Sequence, residues 1–460
     1  MNVISKNISK YWFSSLPILT IIIAFILANY QPLLSGKERE GSSFSFFKIG
    51  FYLCGIISAL WMFLHHTLLF KKGEYLRSLI ICVGATAVFL WTYKHKITFR
   101  MDLLLLFLCA LYSLIYHKWI RPDKVMVMFF LLIALRYIGI LWSVDKSFAW
   151  EDSFSDKVYF LLLAPVVCLG FRIREREYTS FVILTFKLFL LLLTLNITTY
   201  IFVHKAIGLP FFSFLTLNKG YMDYTGQILA WSFFHHPSFI AWVMLAIWGL
   251  SVLVWRKDKN RIPLFEIVLY GLFLFCFAFI VQARIVIVGF ALGILLLCWL
   301  HFSKNWSLSK RVLTEIGILL IGALGIYLLV SHTTYFSDPI REKMLSSAAI
   351  AISEHPIFGN GTIYEKIIAK NTVGQWHIHN DFLATLIDLG IVGLALLLLW
   401  IGFCYQKAIF SKDHSIIYCL MMFILLMNTD VMLNNESGVF ITIPFLIFVF
   451  FKDKNLSSSE

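Results

Sequence analysis

The stretch FLATLIDLGIVGLALLLLWIGFC, residues 382–404, carries a single charge, Asp388, in 23 residues. As an α-helix it would rise about 35 Å at ~1.5 Å per residue, enough to cross the roughly 30 Å hydrocarbon core of a bilayer. Lipid offers the backbone no water, so a span of this kind closes its hydrogen bonds internally, as a helix. A transmembrane β-barrel would need short segments alternating apolar and polar residues, which are absent here. Similar apolar runs lie on either side: 14–30, 47–70, 76–93, 102–116, 124–142, 157–171, 180–203, 237–255, 263–281, 284–302 and 312–330 before it, 414–429 and 437–451 after it. The fold class is therefore all-α, a polytopic integral membrane protein with about 12–14 transmembrane helices and one large periplasmic loop containing short helices.

Composition agrees. Hydrophobic residues make up 60% of the 460 and charged residues only 14%, which excludes the two or three soluble domains that the length would otherwise allow. The first run follows Lys6 and Lys10, as in a signal peptide, but no small-residue cleavage site follows it, and we expect a retained helix. The eight cysteines all fall in apolar runs without metal-ligand spacing, so they read as buried thiols. The net charge of +13 sits in short loops rather than in one patch or tail, which argues for membrane orientation and against nucleic acid.

Loop charges set that orientation. Arg172, Arg174 and Arg176, then Arg256, Lys257, Lys259 and Arg261, then Lys304, Lys310 and Arg311, then Lys407 and Lys412, then Lys452 and Lys454 all fall on one side. That side is expected to be cytoplasmic, with both termini. Lys94, Lys96 and Arg100 fall on the other side in this count, which leaves the number of helices in 1–120 open. The chain divides into N-terminal helices (1–120), a central helical core (121–330), a large loop on the face opposite the basic loops (331–381) and C-terminal helices with a short tail (382–460). Other external loops are acidic and aromatic 143–156 and 204–236. A loop of roughly 50 residues inside a compact protein is usually functional. Within it, Asp338-Pro339 reads as the cap and first turn of a helix that Pro356 and Gly359 bring to an end.

The large loop ends in Gln375-Trp376-His377-Ile378-His379-Asn380-Asp381, at the mouth of the 382–404 span. A histidine held there can act as a general base near neutral pH, or simply cap the helix. Arg284 sits between two apolar runs with almost no loop. An arginine in that place is either functional or one that snorkels to the headgroups. Arg341 opens the loop helix, where its guanidinium would suit phosphate or merely be solvated. Arg136 and Lys187 lie inside spans and read as paired or snorkelling structural charges.

The order of these features resembles the O-antigen ligase family and its relatives, the O-antigen polymerases and O-linked oligosaccharyltransferases. The matching elements are Arg284 at the start of a span, Arg341 opening a loop helix, His355-Pro356-Ile357-Phe358-Gly359-Asn360-Gly361, then His379-Asn380 before Gly390-Ile391-Val392-Gly393. Upstream, Phe234-His235-His236-Pro237, Tyr137-Ile138-Gly139-Ile140-Leu141-Trp142-Ser143-Val144-Asp145 and Leu163-Ala164-Pro165 extend the likeness, so that it covers roughly 130–450. The resemblance implies that His379 is the catalytic base and that Arg284 and Arg341 bind substrate. His377, Asn380 and His236 join them as substrate-binding candidates. Some relatives carry an arginine just before the position of His236; this chain has none, and His235 or His236 stands there instead. Asp388 occupies a position where relatives often have Glu.

The resemblance also implies an inverting, metal-independent glycosyl transfer without cofactor, in the bacterial inner membrane with the site facing the periplasm. The donor would be a glycan on undecaprenyl pyrophosphate, and the acceptor lipid A core, a growing glycan or a protein hydroxyl. The long external loops carry no acidic cluster suited to Mg²⁺. A transporter of lipid-linked sugars is the rival class. It would show paired broken helices and matching halves, and no internal repeat is present in the sequence.

Overall fold

The computed structural model describes residues 74–92, 95–116, 119–155, 157–206, 237–303, 339–453 and a few positions between 306 and 320. The runs at 14–30 and 47–70, most of 312–330, and His236 lie outside the described residues. Among the described residues every regular element is helical: fourteen α-helices, one 3-10 turn and one π turn. In chain order they are α1 (Tyr75–Trp91), α2 (His95–Tyr116), α3 (Lys124–Gly139), α4 (Lys146–Ser155), α5 (Tyr159–Val167), α6 (Glu175–Ala206) and α7 (Pro237–Lys257). The remainder are α8 (Leu264–Ile280), α9 (Arg284–Phe302), α10 (Pro339–Glu354), α11 (Tyr364–Val373), α12 (Asp381–Phe410), α13 (His414–Met427) and α14 (Glu436–Phe445).

Among the described residues, five segments are long and apolar enough to cross a membrane: Thr98–Tyr116, Lys124–Trp142, Glu175–Thr198, Phe239–Lys257 and Asp381–Phe410. Five shorter apolar helices join them, among them Leu264–Ile280 and His414–Met427. A 17-residue helix such as Leu264–Ile280 rises about 25 Å, so its ends rely on flanking turns or local bilayer thinning. The protein is an all-α polytopic membrane protein. Two local expectations differ from what is observed. The 143–156 segment is not a plain loop but holds α4, whose start is tied down by the Phe148 N–H donating to the Asp145 carboxylate at 2.9 Å. The span at 382–404 is not one continuous helix.

The chain divides into two compact units. One comprises Met1–Ser78, Thr92–Lys94 and Thr179–Leu295; the other comprises Leu79–Trp91, His95–Tyr178 and Leu296–Glu460. In the first, α7 packs on α8. The Trp248 indole donates to the Ile267 carbonyl at 3.1 Å and the Tyr270 hydroxyl to the Met244 carbonyl at 2.9 Å. Lys187 is buried and bonded to the buried Glu266, the paired structural charge that its place in an apolar span called for.

In the second unit, α3 packs along α12, and α12 on α13. The end of α12 marked by basic residues is closed by ion pairs: Lys407 with Asp123 at 2.7 Å, Arg172 with Asp453 at 3.6 Å, Lys452 with Asp413 at 2.7 Å. At the opposite end α12 is broken. Gly390 has φ +64° and ψ −162°, a conformation open to glycine alone, so the 387 and 388 carbonyls lose their helical partners. The loop His355–Gly361 supplies replacements. The Asn360 N–H donates to the Ile387 carbonyl and the Gly361 N–H to the Asp388 carbonyl, both at 2.9 Å. In return, the Ile391 N–H donates to the Pro356 carbonyl at 2.9 Å and the Val392 N–H to the Ile357 carbonyl at 3.2 Å. Two donors and two acceptors freed by the break are thus exchanged with the loop, and none is left unpaired in an apolar setting.

Candidate functional site

The loop docked in this break carries the site. α10 and α11 pack against the first turns of α12 through a small apolar cluster of Met344, Ala348, Ala351, Ala369, Ile378, Ala384, Ile387 and Val431. Two of these cluster members have polar neighbours in sequence: Ile378 lies between His377 and His379, and Val431 follows Asp430. Burying an isoleucine or valine side chain is worth roughly 1.5–3 kcal/mol. Drawing Ile378 and Val431 into one cluster therefore brings His379 and Asp430 together across 51 residues of chain. His379 Nδ1 lies 3.3 Å from Asp430 Oδ1. The Asp430 oxygen is held in place by the Val431 N–H at 2.9 Å.

A carboxylate only accepts hydrogen bonds, so Nδ1 of His379 is the donor in this pair, and in the neutral ring that arrangement leaves the lone pair on Nε2. That is the tautomer a general base needs. The residue itself is set in a left-handed backbone conformation, φ +55°, uncommon for a side chain other than glycine. Immediately after it, Asn380 caps α12, its side-chain oxygen accepting from the Leu383 N–H at 2.9 Å, while its amide donates to the Asn428 carbonyl at 3.3 Å. Capping is thus the work of Asn380, which leaves the His379 ring to another role.

His377 makes a second pair. Its Nδ1 lies 2.9 Å from Glu365 Oε1, and the Glu365 Oε2 accepts from the Ile378 N–H at 3.1 Å. Burial pushes the Glu365 carboxyl up, but the His377 hydrogen bond, the His377 and Lys366 charges and the Ile378 N–H outweigh it and hold the group below the usual carboxylate range. The two histidines differ in access: the His379 side chain is 34% exposed and that of His377 13%. The more open imidazole is His379.

Asp388 is fully buried, and its two oxygens accept from the Ile363 N–H at 3.1 Å and the Glu365 N–H at 2.9 Å, which anchors the start of α11. Asp381 is also buried and accepts from the Met432 N–H at 2.7 Å and the Leu433 N–H at 3.4 Å, which anchors the segment after Asp430. Arg341 stands in the first turn of α10, in the same unit as His379; Arg284 opens α9, in the other unit. Two residues of this network were not singled out in the sequence: Asp430 and Glu365. Asp430 carried one legible signal, since it closes a span that begins near Lys412 and so emerges on the face opposite the basic loops.

Fold and site together define a polytopic membrane protein whose loops present a histidine–carboxylate pair at the mouth of a broken helix. Over residues 269–398 the chain is similar to the O-antigen ligase family, whose model matches that segment. The match includes Arg284, Arg341, the His355–Gly361 loop, His377, His379, Asn380 and the Gly390 break; Asp430 and Arg136 lie beyond it. The family is of glycosyltransferase type and handles lipid-linked glycans in general. No curated protein matches the chain.

Proposed function

We propose that the protein is an O-antigen ligase of the bacterial inner membrane that moves a glycan from undecaprenyl pyrophosphate to a sugar hydroxyl of lipid A core, at a site facing the periplasm. The observation that carries this reading is the His379–Asp430 pair, whose imidazole is the more exposed of the two histidines. His379 Nε2 takes the proton of the acceptor hydroxyl as its oxygen bonds to the donor's anomeric carbon. The bond from that carbon to the pyrophosphate oxygen breaks, and its electron pair leaves with the lipid pyrophosphate. Attack from the face opposite the leaving group inverts the anomeric centre. Arg284 and Arg341 bind the pyrophosphate and offset its growing charge, a role suited to guanidinium forks. His377, held by Glu365, shapes the acceptor side, and so does Asn380; His236 is the remaining substrate-binding candidate from the sequence. No metal or cofactor enters the scheme.

The test is turnover by purified protein in proteoliposomes supplied with lipid-linked glycan. His379→Ala should lower turnover by on the order of 10²–10⁴, the usual worth of a positioned general base, with donor binding intact. His377→Ala should lose less. Normal turnover in His379→Ala would remove the base assignment, and normal turnover in both variants would remove general-base catalysis altogether. A deletion strain supplies the acceptor: loss of glycan from lipid A core supports the ligase, while a shortened glycan or a bare protein would point to a polymerase or a protein glycosylase.

A further inference from the structure

Asp381, Thr385 and Asp388 lie at i, i+4 and i+7 on the first section of α12, on one stripe of the helix. Facing that stripe is Arg136, in the last turn of α3 and only 2% exposed. Its Nη2 donates to the Thr385 hydroxyl at 2.9 Å, between the two carboxylates, and its charge acts on both of them. Among the described residues, its Nε and Nη1 have no hydrogen-bond partner. The Arg136 carbonyl accepts from the Thr362 hydroxyl, which stitches the same turn of α3 to the docked loop.

Each carboxylate on the stripe has both oxygens on the backbone of a different arm of the site. Asp381 holds the Met432 and Leu433 N–H groups, next to Asp430. Asp388 holds the Ile363 and Glu365 N–H groups, and Glu365 in turn holds His377 and the Ile378 N–H. Both arms end on His379, one through its carboxylate partner and one through its own backbone. Two buried carboxylates 7 residues apart repel one another and are costly in an apolar setting unless a cation is shared between them.

We propose that Arg136 is a positioning residue: by sharing its charge between Asp381 and Asp388 it helps both stay clamped on the two arms, and so sets the His379–Asp430 geometry. It touches neither substrate nor the reacting atoms. The inference rests on His379 being the site's working imidazole, but its test does not depend on glycosyl transfer.

The experiment reads carboethoxylation of His379 by diethyl pyrocarbonate in the full-length purified protein, localised by tandem mass spectrometry. Asp430→Asn fixes the rate of an imidazole without its carboxylate partner. Arg136→Gln should move the His379 rate toward that value by on the order of threefold or more, as for groups coupled through one hydrogen-bond network. Arg136→Lys, which keeps the charge, should restore much of the wild-type rate. In the double variant Arg136→Gln/Asp430→Asn the rate should equal that of Asp430→Asn alone, because both changes act through one contact. Lys187→Met removes a buried charge in the other unit and should leave the His379 rate unchanged, which separates positioning from general loosening. If Arg136→Gln does not accumulate as a monodisperse protein, Arg136→Lys and Asp388→Asn are read against the same standards. A wild-type His379 rate in folded Arg136→Gln, or in folded Asp388→Asn where that variant stands in, would overturn the proposal. So would fully additive effects in the double variant. Loss of turnover in His379→Ala tests the transfer reaction separately, so the two readings can fail independently.

Discussion

Gly390→Ala should undock the His355–Gly361 loop while leaving the spans inserted. A Cβ at this position would lie 2.3 Å from the Ile357 carbonyl oxygen and 2.6 Å from the Gly359 nitrogen, both backbone atoms with little freedom to yield. Alanine would also have to hold φ +64°, ψ −162°, at a cost of about 1–3 kcal/mol. The alternative is for the helix to close over the break. That regains two intrahelical bonds, from Ile391 to Ile387 and from Val392 to Asp388. It forfeits the four backbone bonds to the loop and the Asn360 amide bond to Ile387. A net loss of three bonds at ~1 kcal/mol each is about 3 kcal/mol, so either route costs a similar amount. Hydrogen exchange of the Asn360 and Gly361 amides measures this directly: their protection should fall by about 10², since each 1.4 kcal/mol is roughly tenfold. Gly402→Ala is the control, for its added Cβ meets nothing within 4 Å and should at most firm the helix. Wild-type protection of Asn360 and Gly361 in Gly390→Ala would refute the reasoning, because it would mean that the loop does not depend on the broken helix.

The remaining expectations concern charge and topology. Arg284→Ala and Arg341→Ala should each abolish turnover in inserted protein, with lysine restoring it only in part because it lacks the fork; full turnover in both alanine variants would leave the pyrophosphate role unsupported. Glu365 is held below the usual carboxylate range, so its contribution to loop stability is complete above the unfolded-state value of about 4.3 and is lost as pH falls through the lower folded-state value. Protection of the Ile378 amide should fade over that acid window, and Glu365→Gln should flatten the dependence; an unchanged profile in that variant would assign the acid loss to another group. In a background without other reactive cysteines, Trp376→Cys, at a position 67% exposed, should react with a membrane-impermeant maleimide from the periplasmic side and Lys259→Cys only after the inner membrane is opened. The reverse pattern would invert the orientation.

Much of the architecture was legible because a bilayer imposes one strong rule on the backbone. The runs read at 124–142, 237–255 and 284–302 correspond to α3 with its 3-10 turn, α7 and α9 within a few residues. The loop helix from Pro339 to Glu354 was legible from punctuation, with Pro at its first turn and His355-Pro356 at its end. The break in α12 was not legible. Apolar periodicity runs straight through Gly390, and an isolated glycine in such a run reads as a small residue at a packed face. Only the loop, which supplies exchanged donors and acceptors from about 30 residues upstream, makes the break tolerable in lipid.

The site was legible in its histidines and obscure in its carboxylates, for a physical reason. A histidine beside a helix cap in an external loop advertises itself locally, as His377 and His379 do. An acidic residue in or beside an apolar helix carries no mark of what it holds. Asp381 reads as an ordinary first-turn residue and Asp388 as a lone charge with no visible partner, yet each turns inward and uses both oxygens to fix a separate stretch of backbone. Asp430 meets His379 because Ile378 and Val431 bury in the same cluster, a fact of packing that no spacing encodes. Exchanging those two apolar residues for smaller ones should therefore loosen the His379–Asp430 contact without touching either polar group. Ile378→Ala removes a fully packed side chain at a cost of about 2–5 kcal/mol, comparable to the whole docking energy estimated for the loop. If His379 in Ile378→Ala kept the diethyl pyrocarbonate reactivity of the wild type, the two residues would have to be held together by the carboxylate clamps alone, and the apolar cluster would be a consequence of their meeting rather than its cause.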